Sequence, residues 1–264
     1  MSLRDGARTV VDQCLDVQDD EHVAVVNDGN DPNIVEALLA IVEERAGSHE
    51  YIEYEPPARQ GAEPPEKVAA VLRDADVFIA PTQKSLTHTD ARRAATGAGA
   101  RGATMPGITP EIWRTSLPVD YDELARCCRD VYDRLSGVET LEITTPSGTD
   151  LEMAVNIDYF LKHTGLYHGP GDYGNLPAGE TFGAPLEAEG TLTIDHFPYA
   201  PAGTEIEIED NRAVAVEHPG EEGSELAAAF EEVDGARTVA EIGIGTNPAA
   251  ELIGNILQDE KVLG

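Results

Sequence analysis

The sequence predicts an α/β protein, with an N-terminal domain built on a parallel sheet and a following α+β domain whose sheet is largely antiparallel. In the first half, short runs of β-branched residues alternate with helical patterns, which is typical of a parallel sheet covered on both faces. In the second half, several segments alternate apolar and polar residues, which is typical of antiparallel strands. We place the boundary near Ser136-Gly137, so the predicted domains are 1–136 and 137–264.

Strands and helices alternate regularly in the first domain. Asp31 and Pro32 suit the start of a helix, because aspartate caps free backbone N–H groups and proline fits the first turn. The predicted strands are 22–27, 51–54, 76–80 and 102–105. The predicted helices are 31–46, 65–73, 90–96 and 120–135. Gly97–Gly102 has the glycine spacing of a dinucleotide-binding loop, but it follows a helix and precedes a strand, so it predicts a helix end and a turn.

The second domain changes to short strands and tight turns. Pro146-Ser147-Gly148-Thr149 predicts a hairpin turn between strands 139–145 and 150–155. Further elements are expected as strands at 191–195, 204–209, 212–217 and 238–242, and as a helix at 222–233. The segment 165–185 is rich in glycine and proline and shows little regular periodicity, so no strand or helix is assigned to it.

The chain is strongly acidic. It has 50 aspartates and glutamates against 18 lysines and arginines, a formal net charge of −32, and the acidic residues are spread along its whole length. Nucleic-acid binding by charge is excluded, because no basic patch is available to release counterions from phosphates. A surface made for one basic partner would cluster its charge, so we interpret the composition as adaptation to a salt-rich cytoplasm, as in halophiles.

The sequence also indicates a soluble cytoplasmic protein. Residues 1–20 contain no apolar stretch of signal-peptide length, and no run approaches the length of a membrane span. Cys14, Cys127 and Cys128 lack the spacing of a zinc site, so they are expected to be reduced thiols. We therefore expect neither a membrane nor a nucleic acid as partner.

Two glycine-rich segments carry candidate metal ligands. Glu180 ends the first segment, and Glu241 begins the second, just before Gly243-Ile244-Gly245. Glu241 lies in an apolar run that should be buried, and a buried carboxylate without a cation or hydrogen bonds costs several kcal/mol. We therefore expect Glu241 to be either salt-bridged or a metal ligand. Glu260, which precedes Lys261, is the third candidate. If these three glutamates meet in space, they would form a site for divalent metal ions.

These segments resemble the thermophilic-aminopeptidase family of metallopeptidases, also called the aminopeptidase T or leucyl aminopeptidase family. The matching motifs are Asn175–Glu180 (NLPAGE), Glu241–Asn247 (EIGIGTN) and Asp259-Glu260-Lys261, supported by Ser147–Leu151 and Ser85–Thr89. The resemblance implies an α/β domain followed by a domain that holds two divalent metal ions, zinc, cobalt or magnesium. It implies that Glu180 ligates one metal, that Glu241 bridges both and that Glu260 adds a further oxygen. A small peptide substrate and a homodimer are implied as well.

The leading hypothesis is therefore a metal-dependent aminopeptidase that removes N-terminal residues from peptides. In the family, further histidine, tyrosine and aspartate ligands follow the Asp259-Glu260-Lys261 segment, so we expect this chain to be a fragment or to lack those ligands. One alternative is a ring-cleaving dioxygenase with non-haem iron, because dihydroxypyridine dioxygenases look related to this family. Another is a non-catalytic homologue that acts as a binding or dimerisation module.

We predict that the melting temperature rises steeply between low and molar potassium chloride, since salt screens the repulsion within a chain of net charge −32. Thermal unfolding followed by circular dichroism across a salt series measures the effect. Sucrose at matched osmolality is the control for solvent exclusion. A melting temperature indifferent to salt would contradict the interpretation of the composition as salt adaptation.

Overall fold

The structure is a computed structural model that describes residues 1–218 and 225–263. In these residues the fold consists of three β-sheets and the helices around them. The helices are α1 (Leu3–Arg8), α2 (Pro32–Arg45), α3 (Glu66–Asp74), α4 (Asp90–Gly97), α5 (Pro110–Arg114), α6 (Tyr121–Arg134), α7 (Glu225–Glu232) and α8 (Ile256–Asp259). The strands are β1 (His22–Asn27), β2 (Ser48–Glu53), β3 (Val77–Ala80), β4 (Arg101–Thr104), β5 (Thr140–Thr144), β6 (Asp150–Ala154), β7 (Phe160–His163), β8 (Tyr173–Asn175), β9 (Glu180–Gly183), β10 (Glu187–Thr193), β11 (Glu205–Glu209), β12 (Arg212–Glu217) and β13 (Ile242–Gly245). None of the described helices is long and apolar enough to cross a membrane.

The first sheet is parallel and has the strand order β2-β1-β3-β4-β8. Helices cover both of its faces, and β1 shows why the sequence folds this way. Val23 and Val25 point to the face where α2 packs, whereas Ala24 and Val26 point to the face where α3 packs. Successive residues of a strand alternate between the two faces, so a strand buried on both sides becomes a continuous apolar run.

The second half forms two antiparallel sheets, and the predicted fold class is confirmed. One sheet has the order β12-β11-β10-β6-β5, with the predicted hairpin turn between β5 and β6. The other sheet has the order β13-β9-β7, so β9 is its central strand. The predicted helix end and turn at Gly97–Gly102 is also present, between α4 and β4. The observed elements therefore follow the predicted order closely in both halves.

The segment 165–185, for which no element was predicted, contains two short strands. This segment contains β8, which pairs with β4 and completes the parallel sheet, and it also contains the whole of β9. These strands have only 3 and 4 residues and include Gly174 and Gly183, so they show no two-residue period. The proposed boundary near Gly137 stays a prediction, although a strand from the second half joins the first sheet.

The end of the chain differs from expectation in its boundaries. The predicted strand at 238–242 is displaced, because β13 spans Ile242–Gly245 and Thr238 makes an isolated bridge with Arg212. The helix predicted at 222–233 is α7, and residues 222–224 lie outside the described residues. Several short elements, including α1, α5, β7 and α8, have no counterpart in the sequence prediction because they span only 4 to 6 residues.

We predict that Gly102→Ala destabilises the protein by about 1–3 kcal/mol, because overpacking a buried strand has this cost. A Cβ at Gly102 would lie 2.5 Å from the ring and from the carbonyl oxygen of Phe78 on β3. Gly97→Ala is the matched control, since a Cβ there meets nothing within 4 Å at the exposed end of α4. Urea unfolding measures both variants, and equal midpoints for the two would contradict the close approach of β3 and β4.

Candidate active site

A cleft of about 470 Å³ lies at the carboxyl edge of the parallel sheet. Its lining comes from the segments that follow β3 (Gln83, Ser85) and β4 (Pro106, Gly107), from Asn175 at the end of β8, from Pro198 and Tyr199 between β10 and β11, and from the 254–257 segment with Glu260. Open α/β sheets bind ligands in the crevice outside the carboxyl ends of their strands. The position of this cleft is therefore that of a ligand site.

Asn175 is held at the edge of the cleft by two threonines. Its Oδ1 lies 2.6 Å from Oγ1 of Thr104 and 3.0 Å from Oγ1 of Thr87, and the two hydroxyls are 2.9 Å apart. Thr104 is directly opposite Asn175 where β4 pairs with β8, and this pairing brings the two side chains together. No hydrogen bond to Nδ2 of Asn175 is found within the described parts of the chain. The threonines therefore hold one end of the amide and leave the other end available at the cleft.

A buried lysine lies between two of the three candidate glutamates. Nζ of Lys261 is 2.5 Å from Oε2 of Glu180 and 2.5 Å from Oε1 of Glu260. Lys261 is 2% exposed and Glu180 is 4% exposed, whereas Glu260 is partly open to the cleft. The ion pairs therefore run from the buried β9 to the wall of the cleft.

Glycines make room for this charged cluster. A Cβ at Gly243 would meet Oε1 of Glu180, and a Cβ at Gly245 would meet the carbonyl oxygen of Val262. Gly179 has a φ of +116°, and a Cβ there would lie 2.8 Å from Asn247. Both glycines lie in β13, and the absence of their side chains lets Glu180 and the Lys261 segment approach the strand.

Glu241 lies beside the cluster but at the surface. The prediction that it is buried is wrong, because β13 is an edge strand and the run before it is largely exposed. Partial desolvation, followed by the negative charges of Glu180 and Glu260, raises the pKa of Glu241, and Lys261 opposes this. The three predicted residues therefore do converge closely enough to influence one another.

The pKa of Glu180 is lowered, in contrast to that of Glu241, although Glu180 is the more buried of the two carboxyls. Its burial acts to raise its pKa, but the nearby imidazole of His163 and the ammonium of Lys261 outweigh burial and hold the pKa of Glu180 below its usual range. Glu180 is therefore ionised at neutral pH, which a buried ion pair with lysine requires.

His163 connects the charged cluster to Asn175, and sequence reasoning assigned it no role. Its Nε2 lies 2.9 Å from the carbonyl oxygen of Asn175 and 2.9 Å from the hydroxyl of Tyr167. Nδ1 of His163 lies 3.8 Å from Oε2 of Glu180. The two residues are directly opposite each other where β7 pairs with β9. Burial lowers the pKa of His163, although Glu180 opposes this, so the imidazole is neutral at pH 7.

The cluster as it stands does not fit a metal ion. The ammonium of Lys261 occupies the space between Glu180 and Glu260, where a shared cation would lie. Across 1–218 and 225–263, no group of three or more histidine, cysteine, aspartate or glutamate side chains could hold a metal. The assignment of Glu180, Glu241 and Glu260 as metal ligands therefore stays a prediction.

The parallel sheet and its helices define an α/β protein, and the cleft at the carboxyl edge of the sheet is its candidate ligand site. The chain belongs to the family described as NicX, 2,5-dihydroxypyridine 5,6-dioxygenase, whose model matches residues 3–262. No curated protein matches this chain in sequence.

Among the solved structures that share the fold are a dioxygenase and AmpT. The 2,5-dihydroxypyridine dioxygenase from Pseudomonas putida KT2440 superposes with a TM-score of 0.76 at 18% identity, over 99% of this chain and 83% of that chain. Wild-type AmpT from Thermus thermophilus superposes with a TM-score of 0.67, also at 18% identity and with the same coverage of both chains. The resemblance to the aminopeptidase family is supported in part by AmpT, but the family match favours the dioxygenase alternative over our leading hypothesis.

We predict that Glu180→Gln and Glu241→Gln change stability at pH 7 in opposite directions. Glu180→Gln removes a partner from buried Lys261, which costs about 3 kcal/mol. Glu241→Gln raises the melting temperature, because a carboxyl whose pKa is raised on folding disfavours the folded state once it is ionised.

The pH dependence of Glu241→Gln provides the control. Its advantage over the parent shrinks as pH falls through the raised pKa of Glu241, where the parent carboxyl becomes protonated in the folded state. Urea unfolding from pH 5 to pH 8 measures both variants. Loss of stability in Glu241→Gln at pH 7 would show that this carboxylate makes a favourable interaction instead.

Proposed function

We propose that this protein opens the ring of a hydroxylated pyridine, or of a closely related hydroxylated N-heteroaromatic compound, by dioxygenation. The observation that carries the proposal is the match of the dioxygenase family model to residues 3–262. The solved dioxygenase from Pseudomonas putida supports it by its shared fold, with the higher TM-score of the two structures, 0.76 against 0.67.

The chemistry of the cleft supports a flat, neutral and polar ligand. Its volume of about 470 Å³ suits a small molecule. Apolar surface comes from Pro106, Pro198 and Leu257, and Tyr199 contributes an aromatic ring on which a second ring can stack. Neutral hydrogen-bonding side chains, Gln60, Gln83, Ser85 and Asn255, line the remaining wall. Such groups bind ring hydroxyl and ring nitrogen atoms without requiring a net charge on the ligand.

Asn175 and Glu260 are the residues to which we assign direct roles in ligand binding. Thr87 and Thr104 hold the amide of Asn175, so its free end can bind a ring hydroxyl in a fixed orientation. Glu260 presents a carboxylate to the cleft and can accept a hydrogen bond from a ring hydroxyl or a ring N–H. The ion pair with Lys261 holds this carboxylate in place.

Oxygen activation is separate from these roles. Insertion of dioxygen is chemistry that proteins delegate to a cofactor, and non-haem iron is the metal that we associated with this alternative. The described carboxylate cluster does not fit a metal ion, because Lys261 lies between Glu180 and Glu260. The proposed roles of this chain's residues are therefore binding and orientation of the ring.

Aminopeptidase activity has weaker support from the site. A peptidase of this kind must bind the free α-amine of its substrate, and Glu260 is the carboxylate that lines the cleft. That carboxylate already pairs with Lys261 at 2.5 Å, so a substrate ammonium would compete with an ammonium of the chain itself. The fold shared with AmpT therefore favours common ancestry over a common substrate.

We predict that the protein consumes oxygen and bleaches the ring absorbance of 2,5-dihydroxypyridine in molar potassium chloride with ferrous iron added. Asn175→Ala should raise the KM or the dissociation constant for 2,5-dihydroxypyridine about tenfold, because one hydrogen bond to the ligand is lost. An oxygen electrode and equilibrium titration of the ring measure the two effects.

Ser147→Ala is the matched control, because Ser147 is exposed in the β5–β6 turn, away from the cleft. It should leave ring binding unchanged. Hydrolysis of a leucyl anilide in place of oxygen uptake would overturn the proposal in favour of a peptidase. Absence of both ring binding and turnover would favour a non-catalytic homologue.

A further inference from the structure

We propose that Lys261 supplies, from within the chain, the positive charge that Glu180 and Glu260 would otherwise take from a metal ion shared with Glu241. The cluster is then an ammonium site and not a metal centre. This inference concerns the three residues that sequence motifs single out as metal ligands, and it does not depend on the proposed ring-opening function.

The burial of Lys261 is the first argument. Lysine is almost never fully buried unless it is paired, and Lys261 is 2% exposed. Its ammonium lies 2.5 Å from a carboxylate oxygen of Glu180 and 2.5 Å from one of Glu260, so it is bound on two sides by opposite charge. An ammonium has three donors, and carboxylates satisfy two of them here.

The backbone of Lys261 is fixed independently of its side chain. Its N–H donates to the carbonyl oxygen of Gln258, and its own carbonyl oxygen accepts from the N–H of Asn247, both at 2.9 Å. Gly245 lacks the side chain that would push this segment away from β13. The position from which the ammonium reaches the carboxylates is therefore set by the packing of the C-terminal segment.

Competition for the same oxygen atoms is the second argument. A divalent ion binds carboxylate oxygens at about 2.0–2.2 Å. An ion shared by Glu180 and Glu260 would thus occupy almost the same space as Nζ of Lys261, and two cations so close repel each other strongly. Glu241 is exposed and provides one carboxylate apart from these two ion pairs.

Neighbouring side chains do not provide metal ligands in place of Glu180 and Glu260, which are paired with Lys261. His163 is the imidazole next to Glu180, but its Nε2 is engaged with Asn175 and Tyr167. Within the described residues, no group of three or more histidine, cysteine, aspartate or glutamate side chains is placed to hold a metal. The arrangement therefore favours the internal ammonium over an added cation.

The test is cobalt binding to the full chain purified without chelator, in molar potassium chloride to screen surface charge. Isothermal titration with Co²⁺ gives affinity, and visible absorption gives a signature of the bound ion. The parent should show no binding that depends on Glu180. Lys261→Met should bind one Co²⁺ about tenfold more tightly than the parent or better, since the competing charge is gone. The double variant Lys261→Met/Glu180→Gln should lose this gain.

Lys67→Met is the matched control, because it removes the same charge from an exposed position on α3 and should not create a cobalt site. The proposal is overturned if the parent binds one Co²⁺ and loses it with Glu180→Gln, or if folded Lys261→Met gains no affinity. If Lys261→Met does not fold, Glu260→Gln decides the question. Cobalt binding by Glu260→Gln that equals binding by the parent supports the proposal. A cobalt site that the parent has and Glu260→Gln lacks overturns it.

Discussion

The ion pair between Lys261 and Glu180 connects two parts of the chain that sequence separates by 81 residues. Glu180 is the first residue of the central strand of the three-stranded sheet, and Lys261 follows the last described helix. Through Glu260 the same ammonium reaches the cleft at the carboxyl edge of the parallel sheet. A buried charge tolerates few alternative positions, because leaving it unpaired is costly. The shape of the cleft therefore depends on this contact.

A second set of contacts links that pair to the parallel sheet. His163 lies beside Glu180 on one side and binds the carbonyl oxygen of Asn175 on the other. The side chain of Asn175 in turn contacts Thr104 at the end of β4. The carboxylate of Glu180, the imidazole of His163, the two polar groups of Asn175 and the hydroxyl of Thr104 thus follow one another from the antiparallel sheet to the edge of the parallel sheet.

Much of this arrangement could be predicted from the sequence, and the failures have physical causes. Val23–Val26 identify β1 because a strand buried on both faces must be continuously apolar. The convergence of Glu180 and Glu260 followed from family-like motifs, but the cation between them did not. Lys261 resembles any charged surface residue until the packing of Gly245 against Val262 shows that its segment is buried. The exposure of Glu241 depends on β13 being an edge strand, which is a property of sheet order and not of local sequence.

The sequence motifs and the local geometry thus lead to different roles for the same carboxylates. The motifs resemble those of metal ligands, whereas the contacts show ion pairs with Lys261. Anomalous diffraction from a crystal grown with manganese tests this difference most directly. We expect density for the Lys261 ammonium between Glu180 and Glu260 and no anomalous peak there. A manganese peak within coordination distance of both carboxylates, with the lysine side chain displaced, would contradict it.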